Sequence, residues 1–173
     1  MTDARAVLPA YKRKMFWVAL LYFSEGLPLG VFYDIFPVYF RQQGVELRQI
    51  GVLSLLGLAW TLKFLWAPII DKTDVPLLGK LGRRRGWMVL SQVIVAIGLA
   101  GMAIVKPEGG LVVFGALALL AAFASATQDI VIDAWRVDVA DETATLEILS
   151  AIYQLGYRAA SLVGGALALI AAA

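Results

Sequence analysis

The sequence predicts an all-α membrane protein, and three observations carry that prediction. Apolar residues make up 61% of the 173 and charged residues 16%, with a mean hydropathy of +0.79; soluble domains average about 45–50% and about 25%. The apolar residues gather in five stretches, each reaching the roughly 20 residues that cross a hydrocarbon core of about 30 Å. The basic residues cluster between those stretches, as membrane topology requires. A water-soluble fold of this length has too much surface for its volume to hide such an excess. A disordered chain is poor in Leu, Ile, Val and aromatics, and no fixed repeat period is present.

The first stretch, about residues 15–40, follows a tail (1–14) that ends in Lys12, Arg13 and Lys14. A basic patch before an apolar run also begins a secretory signal. Glu25 and Pro28 interrupt this run, however, and no small-residue cleavage site follows, so a first membrane helix is expected. The second stretch runs over 49–70 and stops at Asp71; the third, 86–105, follows Arg83, Arg84 and Arg85. The fourth covers 111–135 and the fifth 146–173. Helices are the expected spanning element, because strands would show apolar–polar alternation in segments of about ten residues. Trp66, Trp87 and Trp135 fall near span ends, where an interfacial aromatic belt is expected. The spans are odd in number and the chain ends with the fifth, so it is expected to be the N-terminal portion of a longer protein.

Ten of the fifteen Lys and Arg fall on one side of these spans. Arg5, Lys12, Arg13 and Lys14 lie in the tail, Lys72, Lys80, Arg83, Arg84 and Arg85 in the connection 71–85, and Arg136 at the end of the fourth span. Arg41, Arg48 and Lys106 lie on the other side, which puts the N-terminus in the cytoplasm. Basic charge distributed by topology gives no reason to expect a nucleic-acid partner; the expected surroundings are lipid.

Several charges sit inside the spans: Glu25, Asp34, Lys63, Asp129, Asp133 and Arg158. A charge at the bilayer centre costs at least about 2.5–3.5 kcal/mol, so such residues face protein or water. At 1.5 Å per residue, Glu25 and Arg158 both lie about 16 Å deep, and Lys63 and Asp129 about 12 Å deep. Two ion pairs are therefore expected, Glu25 with Arg158 and Lys63 with Asp129, although Lys63 is long enough to snorkel to the surface. Asp129 and Asp133 are one helical turn apart and repel, which calls for a nearby cation or a shared proton. Asp133 and Arg136 also fit a solvated helix end, and Asp34 a wetted or capping acid near the outer mouth. Tyr22 and Tyr157 lie at the level of these groups and are candidate contacts for a solute, and Gln154 shares a face with Arg158.

Neither His nor Cys is present. The commonest metal ligand, the usual general base and the thiol nucleophile are thereby removed, so no metal or cofactor is expected. An enzyme is not expected either, because the paired carboxylates have no nucleophile–base partner.

Two segments carry a resemblance: Ser24-Glu25-Gly26-Leu27-Pro28 in the first span, and 126–136, Ala-Thr-Gln-Asp-Ile-Val-Ile-Asp-Ala-Trp-Arg, in the fourth. Together they resemble the AmpG-type muropeptide permeases, in the branch of the major facilitator superfamily that includes acetyl-coenzyme A transporters. The connection, Asp71-Lys72-Thr73-Asp74 followed by Gly82-Arg83-Arg84-Arg85-Gly86, resembles a loosened form of that superfamily's cytoplasmic loop motif. The resemblance implies the N-terminal helical bundle of a major-facilitator-type transporter, with five spans present and a second bundle in the rest of the polypeptide. It further implies import of anhydromuropeptides with protons across the bacterial inner membrane, in cell-wall recycling. On that reading Glu25, Asp129 and Asp133 are proton-site candidates. Tyr22, Glu25, Gln128, Gln154, Tyr157 and Arg158 would contact the solute, with Arg158 taking a carboxylate. Asp71, Arg83, Arg84, Arg85 and Arg136 would form a cytoplasmic gate. Transport of another anionic solute and a membrane-embedded structural subunit with buried ion pairs are the alternatives.

Overall fold

The computed structural model describes residues 4–76, 78–105 and 110–172. Lys106, counted above for topology, lies outside the described residues, as do residues 1–3 of the tail and the last residue of the fifth expected span. Every regular element among the described residues is helical. The order is α1 (Ala4–Gly30), a π turn (Val31–Ile35), α2 (Phe36–Gln42), α3 (Leu47–Ser54), α4 (Leu58–Leu62), α5 (Ala67–Lys72), α6 (Arg83–Val105), α7 (Leu111–Val139) and α8 (Leu146–Ala172).

Among the described residues, three helices are both long and apolar enough to cross a membrane: Pro9–Gln42, Arg83–Val105 and Leu111–Val139. They correspond to the first, third and fourth expected spans, each starting or ending a few residues beyond the expected edge. The second expected span is not one helix: 3-10 turns at Leu55–Gly57 and Lys63–Leu65 divide it into α3, α4 and α5. Pro68 accounts for the second break, since it has no N–H for the Phe64 carbonyl and its ring crowds that carbonyl. The fifth, α8, is 27 residues long and so has the length to cross.

The chain divides into two compact units. The larger, Pro28–Val131, is built on aromatic residues of the π turn and α2 packed with alanines of α7. Phe32, Phe40 and Phe114 are buried with Ala118, Ala121, Ala122 and Ala126, and Phe40 meets Phe114 edge-on at 5.4 Å. Alanine at these positions lets α6 approach closely: a Cβ on Gly98 would stand 2.7 Å from Ala121 Cβ and 3.2 Å from the Leu117 carbonyl oxygen. A second patch joins Ile70, Ile130 and Val131 with Trp66 and Trp87.

The other unit comprises Met1–Leu27 and Ile132–Ala173, that is, most of α1, the last turns of α7, and α8. Its helices also meet through small residues. A Cβ on Gly26 would stand 2.7 Å from Ala160 Cβ, and one on Gly156 2.6 Å from the Ala19 carbonyl oxygen. Val18, Tyr22, Ile132 and Leu149 are fully buried here. Outward faces of the long helices stay apolar, with Ile104, Val112 and Leu162 among the most exposed side chains. That is the surface a lipid solvent permits and water does not.

Close approach at Gly98 has a measurable consequence. Gly98→Val is expected to lower stability by about 1–3 kcal/mol through overpacking. Gly51→Ala, where a Cβ meets nothing within 4 Å, is expected to be neutral or stabilising. Thermal unfolding of the two variants in detergent reads the difference.

Candidate functional site

In the unit Pro28–Val131, the polar residues of α7 are buried as a block: Ser125, Thr127, Gln128 and Asp129 are all 8% exposed or less. Thr127 and Asp129 have partners close at hand. Thr127 Oγ1 donates to the Phe123 carbonyl at 2.8 Å, its own i−4 position, and accepts the Trp66 indole N–H at 3.1 Å. The Trp66 ring stacks on Phe123 with centroids 4.3 Å apart. Trp66 is therefore a packed residue with a satisfied N–H, which its expected place in an interfacial belt did not anticipate. Lys63, in the 3-10 turn before α5, brings its ammonium to the Asp129 carboxylate. That places the lysine charge against an inner acid, and a buried carboxylate requires such a partner.

The connection after α5 is also organised. Arg84 donates to Asp71 at 2.6 Å, and the Trp87 indole N–H donates to the Thr73 carbonyl at 2.9 Å. Arg83 and Arg85 point outward and are exposed, as is Asp71 itself.

In the unit of Met1–Leu27 and Ile132–Ala173, a second polar group forms around Asp133. Tyr22, on α1 and fully buried, donates its hydroxyl to Asp133 Oδ1 at 2.6 Å. Arg136 Nη2 reaches the same oxygen at 3.4 Å, and Nη1 donates to Ser150 Oγ at 2.8 Å. The Arg136 guanidinium carbon lies 5.6 Å from the Tyr22 ring centroid and 5.2 Å from that of Tyr153, and the two rings are 4.4 Å apart. Two aromatic faces thus share one guanidinium, a cation–π arrangement strengthened by exclusion of water. Arg136 Nε is buried with no hydrogen-bond partner among the described residues. Glu25, one turn beyond Tyr22 on α1, is 5% exposed. Tyr157 is half-buried with its ring beside Gly26, while Gln154 and Arg158 are exposed on α8.

Sequence reasoning brought Lys63 and Asp129 forward as partners, and the structure places them in contact. Tyr22, a candidate solute contact by sequence, is fully buried and donates to Asp133. Ser150 and Tyr153 were not singled out at all. Their signal was their register on α8, where Ser150, Tyr153 and Tyr157 fall at i, i+3 and i+7.

At the head of α8 the loop is tied by Asp141, which accepts Thr143 N–H at 3.0 Å, Thr143 Oγ1 at 2.8 Å and Ala144 N–H at 2.8 Å. Lys14 also donates to it. The Lys14 ammonium first, then the Ala144 N–H and the Thr143 hydroxyl, hold the Asp141 carboxyl well below the usual carboxylate range.

Residues 14–112 match the family model described as acetyl-coenzyme A transporter 1. The chain is 40% identical over 152 residues to the anhydromuropeptide permease of Escherichia coli K12, a match covering 87% of this chain and 30% of that protein. It is 33% identical over 156 residues to the putative transporter AmpG 4 of Rickettsia conorii, with 90% and 37% covered. It is 39% identical over 163 residues to an uncharacterized protein of Haemophilus influenzae, with 94% and 37% covered. The chain thus spans about a third of the length of these curated relatives. No solved structure matches it.

Two outcomes follow from these contacts. Lys63→Met leaves the Asp129 charge uncompensated and is expected to destabilise by about 3 kcal/mol, the low end of the range for a buried pair because the lysine side chain is 30% exposed. Adding Asp129→Leu to it is expected to restore most of that loss, which a double-mutant cycle on thermal stability reads. For Asp141 the folded carboxyl is depressed, so its contribution is present above the ordinary carboxylate range and lost as pH falls through the depressed value. The stability difference between wild type and Asp141→Asn is therefore expected to be full at neutral pH and to close in strong acid, measured by melting across pH.

Proposed function

This chain belongs to the family of acetyl-coenzyme A transporter 1, and from that premise, with its likeness to an anhydromuropeptide permease, we propose that it forms part of a proton-coupled importer of anhydromuropeptides in the bacterial inner membrane. The rest of the polypeptide supplies a second helical bundle, and the N-terminus of this one is cytoplasmic. The observation that carries the reading is the burial of Glu25, Gln128 and Asp129 in helices otherwise apolar enough to cross a membrane. Lipid-facing helices have no use for such groups, whereas a solute passage does.

The roles divide by surroundings. Glu25, Asp129 and Asp133 are the proton-site carboxylates. Gln128 offers a donor and an acceptor to hydroxyls or amides of the solute. Arg158, with Gln154 on its face and Tyr157 beside it, engages a solute carboxylate through its planar fork. Its exposure on a long apolar helix supports this, since a guanidinium against lipid tails is costly. The Asp71–Arg84 pair, with Arg83 and Arg85, belongs to the cytoplasmic gate. Arg136, held by Ser150 and the two tyrosine rings, acts there through Asp133.

The contact of Lys63 with Asp129 favours one specific alternative for that acid, a fixed structural pair. Uptake of labelled anhydromuropeptide into vesicles by the full-length protein separates the two. An imposed inward proton gradient is expected to stimulate uptake, and Asp129→Asn to reduce it by at least about tenfold with the protein still inserted. Uptake indifferent to the gradient removes the coupling. Transport retained by a charge-swapped Lys63→Asp, Asp129→Lys protein assigns that pair to structure.

A further inference from the structure

Between α3 and the head of α7, within the unit Pro28–Val131, runs an open groove of about 650 Å³ that has no part in the proton and solute chemistry above. Its walls are apolar. Val52, Leu55 and Leu119 line it, and each is more than half exposed. Gly115 lines it too, where a Cβ would meet Leu53 at an ordinary contact distance of 3.6 Å. Polar residues line it only at the head of α3, where Glu46, Arg48 and Gln49 form its mouth. The Gln49 side-chain oxygen is engaged there, accepting the Glu46 N–H at 3.4 Å. Arg48 is exposed and has no hydrogen-bond or ion-pair partner among the described residues, and Glu46 is exposed as well.

The depth of the groove limits what fits it. Leu53 lies against Gly115 and Lys63 against Asp129, so the second stretch and α7 run in the same direction. From Glu46 to Leu56 is ten residues and from Leu111 to Leu119 eight, so the groove reaches about 12–15 Å inward from its mouth. A hydrocarbon core of about 30 Å makes that the depth of one leaflet. A crossing helix needs a seam through both leaflets, whereas a phospholipid needs an apolar wall one leaflet deep with charge at its end. The mouth carries one charge of each sign. A guanidinium suits a phosphate, and a carboxylate beside it suits an ammonium. A purely anionic headgroup would meet Glu46 as a like charge. A quaternary ammonium has no N–H for that carboxylate and is held by aromatic faces, which the described lining lacks.

We infer that this groove is a phospholipid site selective for a headgroup bearing both a phosphate and a primary ammonium, as in phosphatidylethanolamine. Arg48 takes the phosphate, Glu46 the ammonium, and the apolar wall past Gly115 an acyl chain. The site goes beyond the solute reading and requires only that the chain lie in a membrane.

Native mass spectrometry tests it on the purified full-length protein, titrated with phosphatidylethanolamine, phosphatidylglycerol or phosphatidylcholine of identical acyl chains. Wild type is expected to bind phosphatidylethanolamine at least about threefold more tightly than the other two, the scale of one charge contact at a partly wetted mouth. Glu46→Gln is expected to abolish the preference over phosphatidylglycerol. Arg48→Gln is expected to weaken all three lipids, since each carries a phosphate. Gly115→Leu fills the groove and is expected to weaken phosphatidylethanolamine while the order of headgroups persists. Melting in detergent shows whether that variant folds; should it not, the two exposed mouth residues decide. Equal binding of the three lipids by wild type overturns the site. So does a preference untouched by Glu46→Gln, binding indifferent to Arg48→Gln, or full binding by a folded Gly115→Leu. Absence of any retained lipid overturns it as well and gives the groove to another helix of the same polypeptide. Uptake has no part in this readout, so failure of the transport reading leaves the site standing.

Discussion

What the structure answers to first is the penalty for an ionised group in hydrocarbon. Helices of this length and apolarity exist only because lipid replaces water around them, and the same lipid makes every buried charge a liability until something meets it. The chain meets the demand locally. Asp129 has Lys63, Asp133 has Tyr22 and Arg136, and Thr127 bonds the backbone of its own helix while accepting from Trp66. No long-range field is needed for any of these. Asp129 and Asp133 are paired through groups within a few ångströms, where the interaction is least screened.

Local pairing demands close helices, and close helices demand small residues. Gly98 against Ala121, Gly26 against Ala160 and Gly156 against the Ala19 carbonyl are contacts at which a Cβ would not fit. In water, apolar burial draws helices together; in lipid that drive is weak, and tight van der Waals contact with hydrogen bonds takes its place. The breaks in the helices follow the same economy of small means. Pro37 forces a π turn and Pro68 a 3-10 turn, and the residues delivered by those two irregularities, Tyr33 with Asp34 and Lys63, are among the polar ones. Backbone irregularity and polar placement coincide because each freed carbonyl and each turned side chain needs a protein or water neighbour, which lipid cannot supply.

Much of this was legible in the residues alone. Apolar length marked the three crossing helices, and equal depth along two of the stretches paired Lys63 with Asp129, since the rise per residue is fixed once a helix is granted. The interruption of 49–70 was less legible. Pro68 is visible in the sequence, but the 3-10 turn at Leu55–Gly57 contains no proline, and its residues read as an ordinary apolar run. The tyrosine enclosure of Arg136 was illegible for a different reason. It depends on which face of α8 turns toward α7 and α1 within one unit, and helical periodicity lists the faces without choosing between them. Trp66 shows the same limit. A tryptophan near a span end suits an interfacial belt by composition, and only the fold supplies its stacking partner Phe123 and its acceptor Thr127.

The two acids of α7 illustrate how far neighbours, and not residue type, set chemical capacity. Asp129 and Asp133 share a helix and differ by one turn, so spacing alone ranks them equally. Their surroundings do not. The Asp129 side chain is 12% exposed and meets an ammonium directly. The Asp133 side chain is 38% exposed, takes a neutral hydroxyl as its short contact and has Arg136 only at 3.4 Å. Removing Lys63 takes from Asp129 its ammonium contact, whereas removing the Tyr22 hydroxyl leaves Asp133 the Arg136 guanidinium, so the first loss is the costlier one in a helix apolar enough to cross a membrane.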